Sequence, residues 1–179
     1  SQGTVKNFGK HRRLVEFIKK QFDAAGIPYD KDIQVGVMIE TPAAALIADL
    51  LAKEADFFSI GTNDLTQYTM AVDRGNAKVA YLYSAYNPAV LRSMKYIIES
   101  ANKAGIMVGM CGEAAADPLL IPLLISFGLN EFSVSATSVL ATRAAINKWT
   151  KEEADLLAEK ALSLATEKEV MELLKSNVR

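Results

Sequence analysis

The chain has 179 residues, 50% hydrophobic and 23% charged, close to a globular average, which excludes a wholly disordered chain. Twenty Lys and Arg against 21 Asp and Glu give a formal charge of −1 and a pI near 5.9, so no electrostatic footprint for nucleic acid or an anionic membrane exists. No apolar run approaches the ~20 residues that span a bilayer, and the single cysteine, Cys111, excludes an intrachain disulfide framework and a cysteine-cluster metal site. No secretory signal precedes the first helical pattern, so a cytosolic, cytoplasmic chain is expected. It begins at Ser1 rather than Met, the expectation for a processed or truncated chain.

From the N-terminus, residues 10–25 carry Leu14, Phe17, Ile18 and Phe22 three and four apart, a helical stripe that Gly26 and Pro28 end. Residues 33–39 (IQVGVMI) are a continuous apolar run, as expected of a strand buried on both faces. Pro42 marks a helix start, and Ala44 to Ala52 read as one small-residue helix. Residues 57–60 (FFSI) form a second strand ending at Gly61, followed by a short helix from Leu65 to about Val72. Residues 75–88 read as irregular. A helix then runs to about Lys103 with Val90, Met94, Ile97 and Ala101 inward, and Gly105 ends it. Residues 106–111 (IMVGMC) are the third strand, 118–127 a helix closed by Gly128, and 131–134 (EFSV) a short fourth strand. Three helices finish the chain. Two open with capping boxes, Thr150 with Glu153 and Thr166 with Glu169.

Strands alternating with helices imply right-handed crossovers and a parallel sheet. Four such units suit half of an eight-fold β/α barrel, whose complete form needs roughly 250 residues, or a small open sheet. Periodicity does not choose between them.

In parallel β/α folds, functional groups collect at the carboxyl ends of strands. The first strand ends at Glu40, the second at Asn63 and Asp64, the third at Cys111, Gly112 and Glu113, and the fourth at Ser133, Ser135, Thr137 and Ser138. Glu40 and Asp64 suit a hard cation such as Mg²⁺, which is held by one or two carboxylates with substrate oxygens and waters completing its octahedron. The alternative for Glu40 is a cap on the helix at Pro42, and Thr62 beside Asp64 is itself a candidate cap. Cys111 is either a small core residue or a functional thiol; Gly109 and Gly112 allow close approach of a ligand to its backbone. Arg74 either binds an anion or is solvated. His11, in the basic stretch KHRR, reads as a surface histidine on a wet helix face.

The stretch GTNDLTQYTMAVDR, residues 61–74, resembles the signature of the phosphoenolpyruvate-utilising phosphotransferases. VGVMIETP (35–42) and GMCGEAAADP (109–118) are similar to two further blocks of that family, in its order and spacing. QYTMAVDR and MCGE are most similar to its Enzyme I branch, which serves bacterial sugar uptake; pyruvate phosphate dikinase and phosphoenolpyruvate synthase are the alternatives. The resemblance covers residues 10–179. It implies an α/β, TIM-type (β/α)8 barrel present only as its second half, about four βα units, with residues 1–179 forming a partial phosphoenolpyruvate-binding domain. It further implies that Glu40 and Asp64 ligate Mg²⁺, that Asn63, Asp64 and Arg74 bind substrate, and that Cys111 moves a proton at C3 of the enolate. The implied whole protein passes phosphate from phosphoenolpyruvate to its own histidine and on to a phosphocarrier protein docked through a missing N-terminal domain, releases pyruvate, and forms a homodimer. His11 does not match the family's glycine- and threonine-rich phosphohistidine motif. The family usually has glycine where this chain has Ala116. For the chain in isolation, the second expectation is a binding or association module without catalysis.

Overall fold

The computed structural model describes residues 5–179, so the first four residues of the expected domain lie outside the described part. Helix α1 (Val5–Ala25) ends where Gly26 takes the left-handed conformation at φ +66°, and the Ile27 N–H closes the last turn by donating to the Phe22 carbonyl at 2.9 Å. The apolar stripe does not anchor this helix. Leu14 and Phe17 are 54% and 56% exposed, whereas Phe8 is buried. Arg12, from the basic stretch, ties α1 to the body by pairing with Asp56 at 3.3 Å and donating to the Glu54 carbonyl. His11 is exposed, as a surface histidine should be.

The four strands are β1 (Val37–Ile39), β2 (Phe57–Gly61), β3 (Met107–Cys111) and β4 (Glu131–Phe132), all parallel, in the order β1-β2-β3-β4. That order decides what periodicity left open. A doubly wound sheet reverses its strand order at a switch point, whereas a barrel adds each strand beside the last. Sequential order with a helix in every crossover is the arrangement of a barrel segment, and the fold is a partial (β/α) barrel.

Strand side chains alternate between faces. Ile39, Phe58, Ile60, Val108 and Met110 point into one core under the helices and are fully buried. The opposite face is bare: Met38 and Met107 are 39% and 47% exposed. The expectation that residues 33–39 are buried on both faces therefore fails. Only three of them are in the strand, residues 33 and 34 are exposed, and β1 is an edge strand with one covered face.

Between the strands, the predicted helix 44–52 divides at Ile47 (φ −112°, ψ 22°) into α2 (Pro42–Leu46) and α3 (Ala48–Leu51). Helix α4 (Thr62–Met70) starts directly at the end of β2, three residues earlier than Leu65. Helix α5 (Pro88–Ala104) buries Val90, Met94, Ile97 and Ala101 as expected, and Gly105 ends it at φ +75°. The Leu, Ile and Met side chains among its buried residues each contribute about 1.5–3 kcal/mol by leaving water, so α5 is a main wall of the core. The predicted helix 118–127 is α7 (Ile121–Phe127), preceded by the single-turn α6 (Glu113–Ala116).

Helices α8 (Val139–Ile146), α9 (Lys151–Ser163) and α10 (Glu167–Ser176) close the chain, and both predicted capping boxes are formed. Glu153 serves twice. Besides its box, it pairs with Arg179 at 2.6 Å, and Arg179 stacks over Trp149 at 4.3 Å. The hydrogen-bonded guanidinium, helped by the Thr150 N–H, holds the Glu153 carboxyl down at about 2. No helix among the described residues is long and apolar enough to cross a membrane.

Candidate functional site

Glu40 follows β1 directly, and the helix after it does not need it. Thr41 caps α2, its hydroxyl accepting from the Ala44 N–H at 3.3 Å. The carboxylate lies instead over the end of β2, where a Cβ on Gly61 would sit 3.0 Å from both Glu40 Cβ and Oε2. Glycine at position 61 is what lets the two strand ends approach this closely.

Asn63 and Asp64 occupy the first turn of α4. Thr62 is not a cap either; its hydroxyl donates to the Cys111 carbonyl at 3.0 Å and ties α4 to the end of β3. The Glu113 N–H donates to Asn63 Oδ1 at 3.3 Å, from the other side of the same junction. Between them Gly112 adopts φ +99°, and a Cβ there would lie 2.4 Å from Thr62 Oγ1 and 3.0 Å from Asn63 Oδ1. Gly112→Ala is therefore expected to cost about 2–4 kcal/mol, strain plus overpacking. Gly105→Ala is the control, also at positive φ but with nothing within 4 Å of its Cβ. Chemical denaturation of the two variants measures the difference; equal losses would show that the Thr62–Asn63 junction has slack.

Arg74 comes from the segment after α4. Its N–H donates to Gln67 Oε1 at 3.1 Å and its guanidinium pairs with Asp64 at 3.0 Å, both side chains partly exposed. Cys111 ends β3 half-buried, with its thiol 3.6 Å from the Ile60 carbonyl and the Ser59 hydroxyl 4.0 Å from its sulfur.

The five residues expected from the sequence, Glu40, Asn63, Asp64, Arg74 and Cys111, line one cleft of about 220 Å³, with Met38 as an apolar wall. Among the described residues no group of three or more His, Cys, Asp or Glu is arranged to hold a metal. Two carboxylates at the edge of an open cleft fit a hard cation such as Mg²⁺ that takes its remaining oxygens from substrate and water. They do not fit a structural zinc site, which needs four protein ligands.

The Ser133–Ser138 group lies outside this cleft. Ser135 bonds Thr137 at 3.1 Å and Ser138 at 2.9 Å, and Ser133, Ser135 and Ser138 border a neighbouring hollow that shares Asn63 and Gly112 with the cleft. Ala116 stands in helical backbone, and Ala71 is the sole non-glycine with positive φ among the described residues, so alanine is accommodated where glycine is usual. The sequence reading missed Tyr83. Its hydroxyl donates to the Asn63 carbonyl at 3.3 Å, and burial pushes its phenol above the ordinary value. The signal available was a tyrosine-rich stretch in a segment that read only as irregular.

Residues 3–151 match the family described as PEP-utilising enzyme, PEP-binding domain. The chain belongs to that family. It is 50% identical over 176 residues to the phosphoenolpyruvate-protein phosphotransferase of Bacillus subtilis (strain 168), covering 98% of this chain and 31% of the relative. The protein of that name from Geobacillus stearothermophilus is 51% identical over 172 residues, covering 96% and 30%. The one from Staphylococcus aureus is 47% identical over 176 residues, covering 98% and 31%. The chain thus spans just under a third of the length of these relatives.

Proposed function

We propose that this chain is the second half of the phosphoenolpyruvate-binding barrel of a phosphoenolpyruvate-protein phosphotransferase. The whole protein would move phosphate from phosphoenolpyruvate to one of its histidines and on to a phosphocarrier protein for sugar uptake, releasing pyruvate. The observation that carries this reading is the convergence of Glu40, Asn63, Asp64, Arg74 and Cys111 on one cleft, from the ends of three adjacent strands and the segment after α4. The names of the half-identical relatives favour it over a dikinase or synthase.

Phosphoryl transfer asks a protein mainly for position and charge neutralisation. In the reaction proposed, the bond from phosphorus to the C2 oxygen breaks, the phosphoryl group passes to the histidine, and the enolate of pyruvate remains. Arg74 binds phosphate oxygens with its planar fork, and Asn63 fixes the same group from the first turn of α4. Cys111 gives its S–H proton to C3 of the enolate, and the thiolate is reprotonated from solvent. Glu40 and Asp64 would hold Mg²⁺, which supplies charge neutralisation to the phosphate and the developing enolate.

The Arg74–Asp64 pair supports these roles. Each group has the other as its counter-charge. An anionic substrate and a divalent cation would give each a stronger partner, so the pair keeps both side chains at the site. The family resemblance carries the further reading of a cytoplasmic homodimer. The bare second face of the sheet supports a first half-barrel packing over it in the whole protein.

The test is turnover by the full-length protein with phosphoenolpyruvate labelled in its phosphate. Label is expected on a histidine outside this chain, with pyruvate released in step, and the isolated 179-residue chain is expected to be inactive. Label on His11, or no consumption of phosphoenolpyruvate by the full-length protein, would refute the reading.

A further inference from the structure

The segment 71–87 between α4 and α5 carries Arg74, yet it is mostly exposed and contains only one turn of 3-10 helix, Ala80–Leu82. Tyr81 is at the surface. Besides the Arg74–Asp64 ion pair and the backbone bonds that close α4, two contacts tie the segment back to the start and middle of that helix. The Arg74 N–H donates to Gln67 Oε1 at 3.1 Å, and the Tyr83 hydroxyl donates to the Asn63 carbonyl at 3.3 Å. Tyr83 also faces the fully buried Thr66 hydroxyl one turn further along α4, with Arg74 and Glu113 close by. Its ring therefore forms one wall of a hollow that shares Asn63 with the cleft without lining the cleft itself.

The geometry points to Tyr83 as a positioning residue: its hydroxyl latches the Arg74-bearing segment onto the Asn63 turn, so that the guanidinium and the Asn63 amide face the same phosphate. This rests on the reading of the cleft as a phosphoenolpyruvate site. Tyr83 acts through Arg74, with the Asn63 carbonyl in the first turn of α4 as its anchor. A latch of this kind supports substrate binding and transition state alike, and its loss belongs in KM rather than kcat.

Tyr83→Phe keeps the ring and its packing and deletes one hydroxyl. In the full-length protein it is expected to raise the KM for phosphoenolpyruvate roughly 3- to 10-fold, the worth of one hydrogen bond, with kcat held within about twofold. Arg74→Ala raises KM by itself. Because the latch works by placing Arg74, adding Tyr83→Phe to Arg74→Ala is expected to change KM by less than about twofold. An unchanged KM in Tyr83→Phe, a fall in kcat alone, or the same factor in both backgrounds would each overturn the inference. Those results would leave the site reading intact as long as Arg74→Ala impairs turnover. A wild-type protein that does not consume phosphoenolpyruvate would instead remove the reading on which the inference rests.

Discussion

Cys111→Ala in the full-length protein is expected to slow pyruvate formation by about 100- to 10,000-fold, the range of one positioned proton-transfer group, while phosphoenolpyruvate binds nearly as before. On the proposed mechanism the two effects separate because the thiol would not be needed to hold the substrate. Arg74, Asn63 and the cation that Glu40 and Asp64 would hold answer the charges of the phosphate and carboxylate, and Cys111 would answer only the carbon that gains a proton. Its place fits that task. The residue ends β3 at the rim of the cleft rather than in the core, and its sulfur lies 3.6 Å from the Ile60 carbonyl and 4.0 Å from the Ser59 hydroxyl. Truncation removes one sulfur atom from a half-buried position, so no large cavity forms and folding is retained. A serine at position 111 has similar bulk but is a far weaker acid, and it is expected to share most of the loss. Pyruvate release followed by a coupled assay, with calorimetric titration of phosphoenolpyruvate, reads both quantities. Turnover within a few-fold of wild type would remove Cys111 from the proton-transfer role.

Much of this arrangement is legible in the sequence, for reasons that differ from element to element. Helix α5 is read to within a residue because its inward positions Val90, Met94, Ile97 and Ala101 meet a core built from this same chain. The capping boxes of α9 and α10 are local chemistry, decided within four residues, and both form. The stripe of α1 and the run 33–39 mislead because apolar spacing reports what a segment can bury, not what is present to cover it. Among the described residues, no element covers Leu14, Phe17 and Met38 fully. At the site, strand-end logic finds Glu40, Asp64 and Cys111, but spacing alone cannot tell a helix cap from a free carboxylate. The Thr41 hydroxyl on the Ala44 N–H makes that distinction in three dimensions. Strand order is beyond sequence periodicity for the same reason: β1-β2-β3-β4 depends on which edge each crossover returns to. Tyr83 is hidden because its hydrogen bond to Asn63 bridges 20 residues from an irregular segment with no periodic signal.

Asp64→Ala is expected to lower turnover in saturating Mg²⁺ by about 1,000-fold or more, equivalent to several kcal/mol of lost charge stabilisation in the transition state. Fold stability is expected to change little. The ion pair that the substitution breaks is partly exposed on both sides, and such pairs contribute about 0–1 kcal/mol. Asp64 lies in the first turn of a nine-residue helix, where a carboxylate also favours the helix terminus by about 0.3–1 kcal/mol. Both terms are small beside the expected loss of activity, so a melting curve near wild type with turnover nearly gone is the predicted combination. A second consequence has the opposite sign. Arg74 loses its counter-charge in this variant and becomes fully available to an anion. Affinity for inorganic phosphate, titrated with a chelator present and no divalent metal, is therefore expected to hold or rise. Asp64→Asn keeps the shape of the side chain and removes its charge, so it should reproduce both effects. An aspartate that merely orders Arg74 would give a different pattern: phosphate affinity would fall along with turnover, and the Mg²⁺ concentration needed for half-maximal rate would stay where it is in the wild type. The direction of the metal-free phosphate affinity thus separates a cation ligand from a support for the arginine, without relying on activity alone.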